Sequence, residues 1–505
     1  MFGTVTLALL AVIVALLAWN WYEAATYFGK LGLKGPPPLP IFGNLFGFKI
    51  GVHTAVENWT KEYGKTFGVS RGAKRAIVTS DLEFAREVLI KRFRNFIDRQ
   101  IFPLRPELMK NDLMALRGER WKAMREIVMT TFSKTKMQRM VPMVIECTDE
   151  TMDGIEKTRE KNDGVVEVAE KMAVFGIDVG SLCFFATKLG TPDEKVVLMR
   201  EALRIWSRFR EVYLPWIITM LFPWIEPLFD RMGCCVHPKD SVDFFSKMLK
   251  DIIDERKRDH KASDNQDFLQ LLMNAEELPN ESGVVKDNQP KQKRGLSEIA
   301  IFSTAMGFFT GNTETSPSSI AFVLYALAIH PEVQDRVVAE LDEVMKGDIT
   351  LEKMSKLTYT EMMIKEAMRV YPIAATVDRI CQEDCVIKGI KVPKGISVEI
   401  AIKVIHDNPE NWTDPEKFDP ERFSPENKGK IDPMTWLAFG QGPRMCVGQR
   451  FAMVEMYVIL AKLLRKYRVE PCPETEHPPT KGKRGLLAPI NGITLRLADR
   501  KDAPL

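Results

Sequence analysis

The sequence lacks what a secreted or a nucleic-acid-binding protein needs. Lys and Arg number 71 and Asp and Glu 68 in 505 residues, a formal net charge of +3. No long-range field therefore draws the chain to a polyanion, and no nucleic-acid partner is expected. The eight cysteines form no disulfide framework and no zinc spacing; Cys234 and Cys235 are adjacent instead of making a C-x-x-C pair. That usage agrees with a reducing compartment. No internal repeat is visible. The one low-complexity stretch, Pro279 to Arg294, is polar and rich in Lys, Asn and Gln, and reads as a mobile loop between helices. What remains is an ordinary globular composition, 45% hydrophobic and 28% charged. Its length admits about three domains or one large helical enzyme.

One long run stands apart. Phe2 to Trp19 carries no charge and is almost wholly apolar. About eighteen such residues just span a hydrocarbon core of ~30 Å. Trp19, Trp21 and Tyr22 follow as an interfacial belt. A cleaved signal peptide would want a charged start, a shorter apolar run and a small-residue cleavage site. Here the start is uncharged and bulky Trp19-Asn20-Trp21-Tyr22 follows, so residues 1–22 are expected to be an uncleaved transmembrane anchor. Lys30 and Lys34 place the C-terminal side in the cytosol, where the sequons at Asn58, Asn280 and Asn411 stay unmodified. Lys34-Gly35-Pro36-Pro37-Pro38-Leu39-Pro40 reads as a stiff spacer, giving a hinge over 23–44 and a globular body over 45–505. Further on, Leu214 to Phe229 crowds Trp216, Leu221, Phe222, Trp224 and Leu228 between Pro215, Pro223 and Pro227. The prolines forbid one spanning helix, which leaves two short core helices or a surface patch dipping into a bilayer.

The body is organised around Cys446. Phe439-Gly440-Gln441-Gly442-Pro443-Arg444-Met445-Cys446-Val447-Gly448 is a glycine-rich loop entering an amphipathic helix predicted over Gln449 to Tyr467. A cysteine at a helix N-terminus faces peptide N–H groups and the positive end of the dipole, which favour its thiolate. Gly440, Gly442 and Gly448 remove side chains where backbone approaches a flat ligand, and Arg444 sets a cation beside it. Such a site suits a haem iron. The remaining seven cysteines read as small buried hydrophobes.

Other patterns are weaker alone. Trp121 and Arg125, at i and i+4, can donate together to a carboxylate, although an Arg lying over an aromatic is a common surface motif. Ser297 to Ala328 reads as a long apolar helix capped by Ser297, with Gly311-Asn312-Thr313-Glu314-Thr315-Ser316-Pro317 at its middle. Thr315 can bond back to the Gly311 carbonyl, and Pro317 frees the Thr313 carbonyl and bends the helix. The result is a hydroxyl-lined groove in which Thr315 orders water and Glu314 relays protons, or else a buried helix with packing threonines. Glu366 and Arg369 can pair at i and i+3, as many surface residues do. Ile373 to Arg379 suits a pocket-lining strand, and His406 in His406-Asp407-Asn408-Pro409 a capping turn.

Taken in order, these stretches resemble the cytochrome P-450 family over essentially the whole chain, and the C-terminal half resembles its animal drug- and steroid-oxidising subgroup, which also contains thromboxane synthase. Phe439, Gly442, Arg444, Cys446 and Gly448 fill every fixed position of F-x-x-G-x-R-x-C-x-G; W-x-x-x-R, E-x-x-R, P-E-R-F and a proline hinge are similar. The oxygen-activation motif A/G-G-x-D/E-T is matched with two departures, Asn312 for the second glycine and an uncommon Pro317. Asn312 is expected to narrow the groove or add a donor. The resemblance implies a mainly α (α+β) prism with a small β-rich lobe, an N-terminal transmembrane helix and, over 45–505, a haem-thiolate catalytic domain. It implies haem b on an axial Cys446, with Trp121, Arg125, Arg379 and Arg99 on the propionates. Phe309, Gly311, Ile373, Ala374 and Val377 would face substrate, and Glu366, Arg369 and Arg422 would form a structural triad. The implied activity is a monooxygenase on the cytosolic face of the endoplasmic reticulum. It would oxidise lipophilic molecules (xenobiotic, steroid or fatty-acid-like) with O2 and electrons from an NADPH-dependent reductase, with a small electron-transfer cytochrome as a second donor. Lys122, Lys134, Lys136 and Arg139 are the candidate docking cations. The resemblance also tips Leu214 to Phe229 toward the membrane patch. Two alternatives stand beside this: a reductase-independent synthase that isomerises a peroxide, and a non-enzymatic haem carrier or sensor.

Overall fold

The first regular element is helix α1, Phe2–Lys30. In this computed structural model, which describes residues 2–188, 214–258, 268–275, 296–483 and 486–501, α1 runs past Tyr22, where the anchor was expected to end. Its last turn is docked, because Phe28 is buried with Leu33 in the core of a β-rich lobe. Most side chains of Phe2 to Trp19 lie outside the described ones. Among the described residues no helix is long and apolar enough to cross a membrane. The proline stretch is tied to the lobe as well. Asn44 Nδ2 donates to the carbonyls of Pro36 and Pro37 at 3.1 Å each, and Gly68 N donates to Lys34 O at 2.9 Å.

The described strands are β1 (Thr66–Arg71), β2 (Lys74–Thr79), β3 (Val165–Glu167), β4 (Thr376–Ile380), β5 (Cys385–Ile387), β6 (Ile390–Val392), β7 (Ser397–Ala401), β8 (Tyr467–Glu470) and β9 (Thr494–Asp499). The lobe sheet has the order β1-β2-β7-β4, with β2 and β7 parallel and the other pairs antiparallel. β3, β9 and β8 form a second sheet, and β5 and β6 a hairpin.

The main helices form the larger body: α2 (Val52–Tyr63), α3 (Gly118–Met129), α4 (Lys134–Lys161), α5 (Val168–Phe185), α6 (Glu298–Ile329), α7 (Pro331–Val344), α8 (Thr358–Val370) and α9 (Gln449–Lys466). α6 is apolar on most of its circumference and is buried on most of it, as a helix hydrophobic all round must be. Ser297 Oγ caps it from Ala300 N at 3.3 Å. α5 reaches α6 through two glycines. A Cβ on Gly176 would stand 2.5 Å from Pro317 Cγ, and one on Gly180 would stand 3.3 Å from Phe309. α6 runs helical through Pro317, so the proline is seated against a neighbouring backbone.

Two apolar cores meet at the cysteine loop. Met434 and Leu437 belong to the lobe core, whereas Phe439 and Val447 pack on the helical one. The loop thus lies at the seam. The Leu214 to Phe229 stretch is broken as its prolines require. It forms short helices Leu214–Leu221 and Glu226–Arg231, yet Leu214, Phe222, Trp224 and Leu228 are exposed, Trp224 at 77%. Ala73 N, in the β1–β2 turn, donates to Met220 O at 3.0 Å and holds this patch on the lobe. The loop read at Pro279 to Arg294 lies outside the described residues.

Candidate functional site

Cys446 ends a loop that its own backbone folds. Gly440 N donates to Leu437 O at 2.8 Å, Met445 N to Gly442 O at 3.0 Å and Cys446 N to Phe439 O at 2.9 Å. Gly440 and Gly442 have φ of 70° and 79°, where a side chain is strained. A Cβ on Gly442 would lie 2.0 Å from Leu89 O. That glycine makes room for protein backbone, not for a ligand as its position in the sequence suggested. Gly448 has an ordinary φ of −86° and sits against the Cys446 sulfur. Cys446 is exposed although protein packs around it on nearly every side, which puts its free surface on an internal space. The backbone N–H groups of Gly448 and Gln449 reach the sulfur, as the helix start predicted. Burial nevertheless outweighs them and raises the thiol pKa, so a bound cation is needed to hold the thiolate.

Four guanidiniums gather near that sulfur. Arg99 and Arg125 act on Cys446 electrostatically, and Arg379 and Arg444 act on both of them. Burial lowers the pKa of all four, Arg444 to about 9. Asp98, Asp378 and Asp112 are the carboxylates near them; Asp112 is paired with Arg105 at 3.0 Å, so four guanidiniums face the two remaining anions, an excess of two positive charges. Arg379 is 1% exposed and gives one bond, to its neighbour's carbonyl at Asp378, while its Nε is buried without a partner. Arg99 Nε is likewise buried and unpartnered. Buried guanidinium donors are rarely left so. The donor set fits a planar ligand with two carboxylates, and the free sulfur fits its metal.

Trp121 and Arg444 stack beside this group. Trp121 is 3% exposed, with Arg125 5.7 Å and Arg444 4.7 Å from its ring. Arg444 donates to the carbonyls of Ile97, Leu113, Met114 and Leu116, the last at 2.7 Å. Its guanidinium thus braces the chain around the loop from within the same cluster of charges.

On α6, Thr315 Oγ1 donates to Gly311 O at 2.6 Å, and a Cβ on Gly311 would meet nothing within 4 Å. Space is therefore open at that turn of α6, where the sequence led us to expect a groove. Glu314 Oε2 is buried without a hydrogen-bond partner, and burial raises its pKa to about 7. Asn312 turns the other way. It is 8% exposed, its Nδ2 donates to Gly176 O at 3.1 Å and its Oδ1 accepts from Ser316 Oγ at 3.3 Å. It therefore neither narrows the groove nor adds a donor to it. Both departures from the motif, Asn312 and Pro317, seat on Gly176 of α5. Phe309 also lies away from the groove, at 0% exposure between Phe185 and Phe245. Ile373 is buried, and Ala374 and Val377 are half-buried; Ile373 and Ala374 precede β4 instead of lying on it.

The triad assembles as expected. Glu366 and Arg369 are fully buried and paired through two bonds, at 2.8 and 2.9 Å. Arg422 Nε reaches Glu366 Oε1 at 3.3 Å, and Asp419 N donates to the same oxygen at 2.9 Å. His406 is not a turn cap. It is fully buried, its Nε2 accepts from Leu437 N at 2.8 Å and its Nδ1 lies 3.1 Å from Arg369 O. An accepting Nε2 fixes the proton on Nδ1, and burial lowers the ring's pKa to about 3. The neutral ring thus links α8 to the cysteine loop. Glu455, on α9, was also missed. It is fully buried, neither oxygen has a hydrogen-bond partner, and burial raises its pKa to about 8 against Ser316 and Asn312. The signal was readable: its i−4 and i+3 neighbours Phe451 and Val458 are core residues.

Comparison with known proteins agrees with this geometry. Residues 33–497 match the family described as Cytochrome P450. Cytochrome P450 3A16 of Mus musculus is 33% identical over 504 residues, which cover 98% of this chain and 97% of that one. Cytochrome P450 3A31 of Mesocricetus auratus is 32% identical over 502 residues, with the same two shares, 98% and 97%. Cytochrome P450 3A18 of Rattus norvegicus is 32% identical over 492 residues, 95% of this chain and 96% of that one. With a match of this length joined to an enclosed cysteine and a surplus of buried guanidiniums, the chain belongs to the cytochrome P450 family, oxidoreductases that hold haem b through an axial cysteinate.

Proposed function

We propose that the protein is a membrane-anchored monooxygenase of lipophilic molecules, with Cys446 as its haem ligand. The observation that carries this is the Cys446 sulfur, exposed to an internal space near Arg99, Arg125 and Arg379. Arg99 and Arg379, each with an unpartnered buried Nε, would hold the two propionates together with Arg125. Trp121 and Arg444 would hold the loop in place from behind. When bound, haem supplies O2 binding and the oxidising chemistry that inserts one oxygen atom into an apolar substrate while the other leaves as water.

The chain's own work is to steer protons. Thr315 keeps its hydroxyl at the open turn of α6 and orders water there, and Glu314 holds a proton near neutral pH on a carboxyl with no competing partner. A peroxide isomerase or a haem carrier has no use for such a relay, which favours the monooxygenase. Gly311 and the half-buried Ala374 and Val377 would border the substrate; steroids and xenobiotics are the classes proposed.

Phe2 to Trp19 has the length and apolarity for a single span of the endoplasmic reticulum membrane. The exposed Leu214, Phe222, Trp224 and Leu228 would dip into the same bilayer and admit apolar substrate from it. On the cytosolic side an NADPH-dependent reductase, and in the same role a small electron-transfer cytochrome, would dock on a basic face. Exposed Lys134 and Arg139 at the start of α4, half-buried Lys136 and exposed Lys122 are its candidate cations. Cys446→Ser tests the reading. The wild-type protein, reduced under carbon monoxide, should show the red-shifted band of thiolate ligation, and the variant should lose it. A variant that kept the band would assign the ligand elsewhere.

A further inference from the structure

Cys381 and Cys385 take no part in the site described above, yet their sulfurs lie 3.9 Å apart. Both are free thiols; Cys381 is buried and Cys385 partly exposed. Cys381 directly follows β4, and Cys385 opens β5, where it pairs with Val392. The residues between them are held by backbone contacts. Gln382 N donates to Asn95 O at 2.9 Å, and Asn95 exchanges two bonds with the Glu383 backbone, at 2.7 and 2.9 Å. Lys394 N donates to Asp384 Oδ1 at 2.7 Å. The sulfur pair is therefore a fixed feature of the loop, not a chance meeting of mobile side chains. A disulfide needs a sulfur separation of about 2.05 Å, so rotating the two side chains has less than 2 Å to close.

We propose that Cys381 and Cys385 are a modification site, a dithiol that hydrogen peroxide converts to a reversible disulfide. The accessible Cys385 sulfur attacks the peroxide O–O bond, gains one oxygen as sulfenic acid and releases one water. The Cys381 sulfur then displaces that oxygen as a second water, forming the S–S bond. Two thiols lose two electrons and two hydrogens, and one peroxide is reduced to two waters. Burial raises the Cys381 thiol pKa to about 12, which slows direct attack by peroxide there and leaves Cys381 as the resolving partner, at contact distance. The bond ties the end of β4, two residues from Arg379, to the β5–β6 hairpin. In a reducing compartment it is reopened by thiols, as befits a transient modification and not a structural bridge.

The test does not depend on the monooxygenase reading. Trypsin cuts after Arg379 and Lys388, so both cysteines fall within one peptide, Ile380–Lys388. The full chain is reduced, freed of reductant, treated with hydrogen peroxide, quenched, denatured, alkylated and digested. The expected peptide carries no alkyl group and is two hydrogens lighter than the dithiol; dithiothreitol added before alkylation restores two alkyl groups. In C381S the same dose should leave Cys385 as a sulfenic acid that dimedone traps. A doubly alkylated peptide after peroxide, or a sulfinic acid on Cys385 beside an alkylated Cys381, overturns the proposal.

Discussion

Glu455→Gln should make the protein more stable, by an amount set by pH. Glu455 lies between the helix that follows Cys446 and the central helix, fully buried, with both oxygens unbonded. Its pKa rises from 4.5 to about 8 because burial disfavours the carboxylate more than Ser316 and Asn312 support it. The native protein therefore keeps the proton through neutral pH, whereas the unfolded chain releases it near 4.5. Above that value the unfolded state binds fewer protons, so stability fully present below pH 4.5 is lost as pH rises toward 8. The slope is about 1.4 kcal/mol per pH unit. Glutamine keeps the shape and does not titrate. The stability of the variant minus that of wild type should thus climb by about 3 kcal/mol between roughly pH 5.5 and pH 7.5, and level off only below about pH 4.5 and above about pH 8. Urea unfolding of the two proteins side by side reads this difference, and titrations they share, including that of His406, cancel in it. Parallel stability curves would refute the argument, because they would mean that Glu455 ionises equally in both states.

Thr315→Ala removes the hydroxyl at the open turn and should keep haem while releasing more oxygen as peroxide; unchanged product per NADPH would contradict the relay. Glu314 is raised to about 7 by burial, so its proton is present below neutrality and lost above it. Product per NADPH should fall as pH rises through 7 in wild type and show no inflection there in Glu314→Gln. Arg422→Met leaves Glu366 buried with one guanidinium in place of two, and should cost roughly 3–5 kcal/mol in urea unfolding; a loss under about 1 kcal/mol, the value of a surface pair, would make the triad ornamental. Asn312→Ala frees the Gly176 carbonyl and should cost about 1–3 kcal/mol of stability with coupling intact. A coupling loss without a stability loss would place Asn312 at the groove after all.

What the sequence disclosed depended on how local each cause was. The Cys446 loop, the Ser297 cap and the Thr315 to Gly311 bond are decided within a few residues, and each is found where the pattern put it. The triad needed a partner from farther off, and family resemblance supplied Arg422. Asn312 and Pro317 defeated local reasoning because their meaning resides on Gly176, which is 136 residues from Asn312. The brace made by Arg444 was invisible for a similar reason: the carbonyls it serves belong to Ile97, Leu113, Met114 and Leu116, distant in sequence and outside any periodicity.

Phe309 is different, because its place was derivable. At about 100° per residue, Gly311 and Thr315 share a face, and Phe309 stands about 200° from Gly311, on the opposite side. A residue so placed cannot border the groove that Gly311 opens, and it packs instead between Phe185 and Phe245. The same arithmetic sets Asn312 and Ser316 together, about 100° from the groove face, and there they meet Glu455. Once the groove face is fixed by one threonine bond, the helix assigns its other residues to substrate, to α5 or to α9. The buried acid then follows from geometry: the side of α6 that carries Asn312 and Ser316 faces α9, and Glu455 stands opposite them.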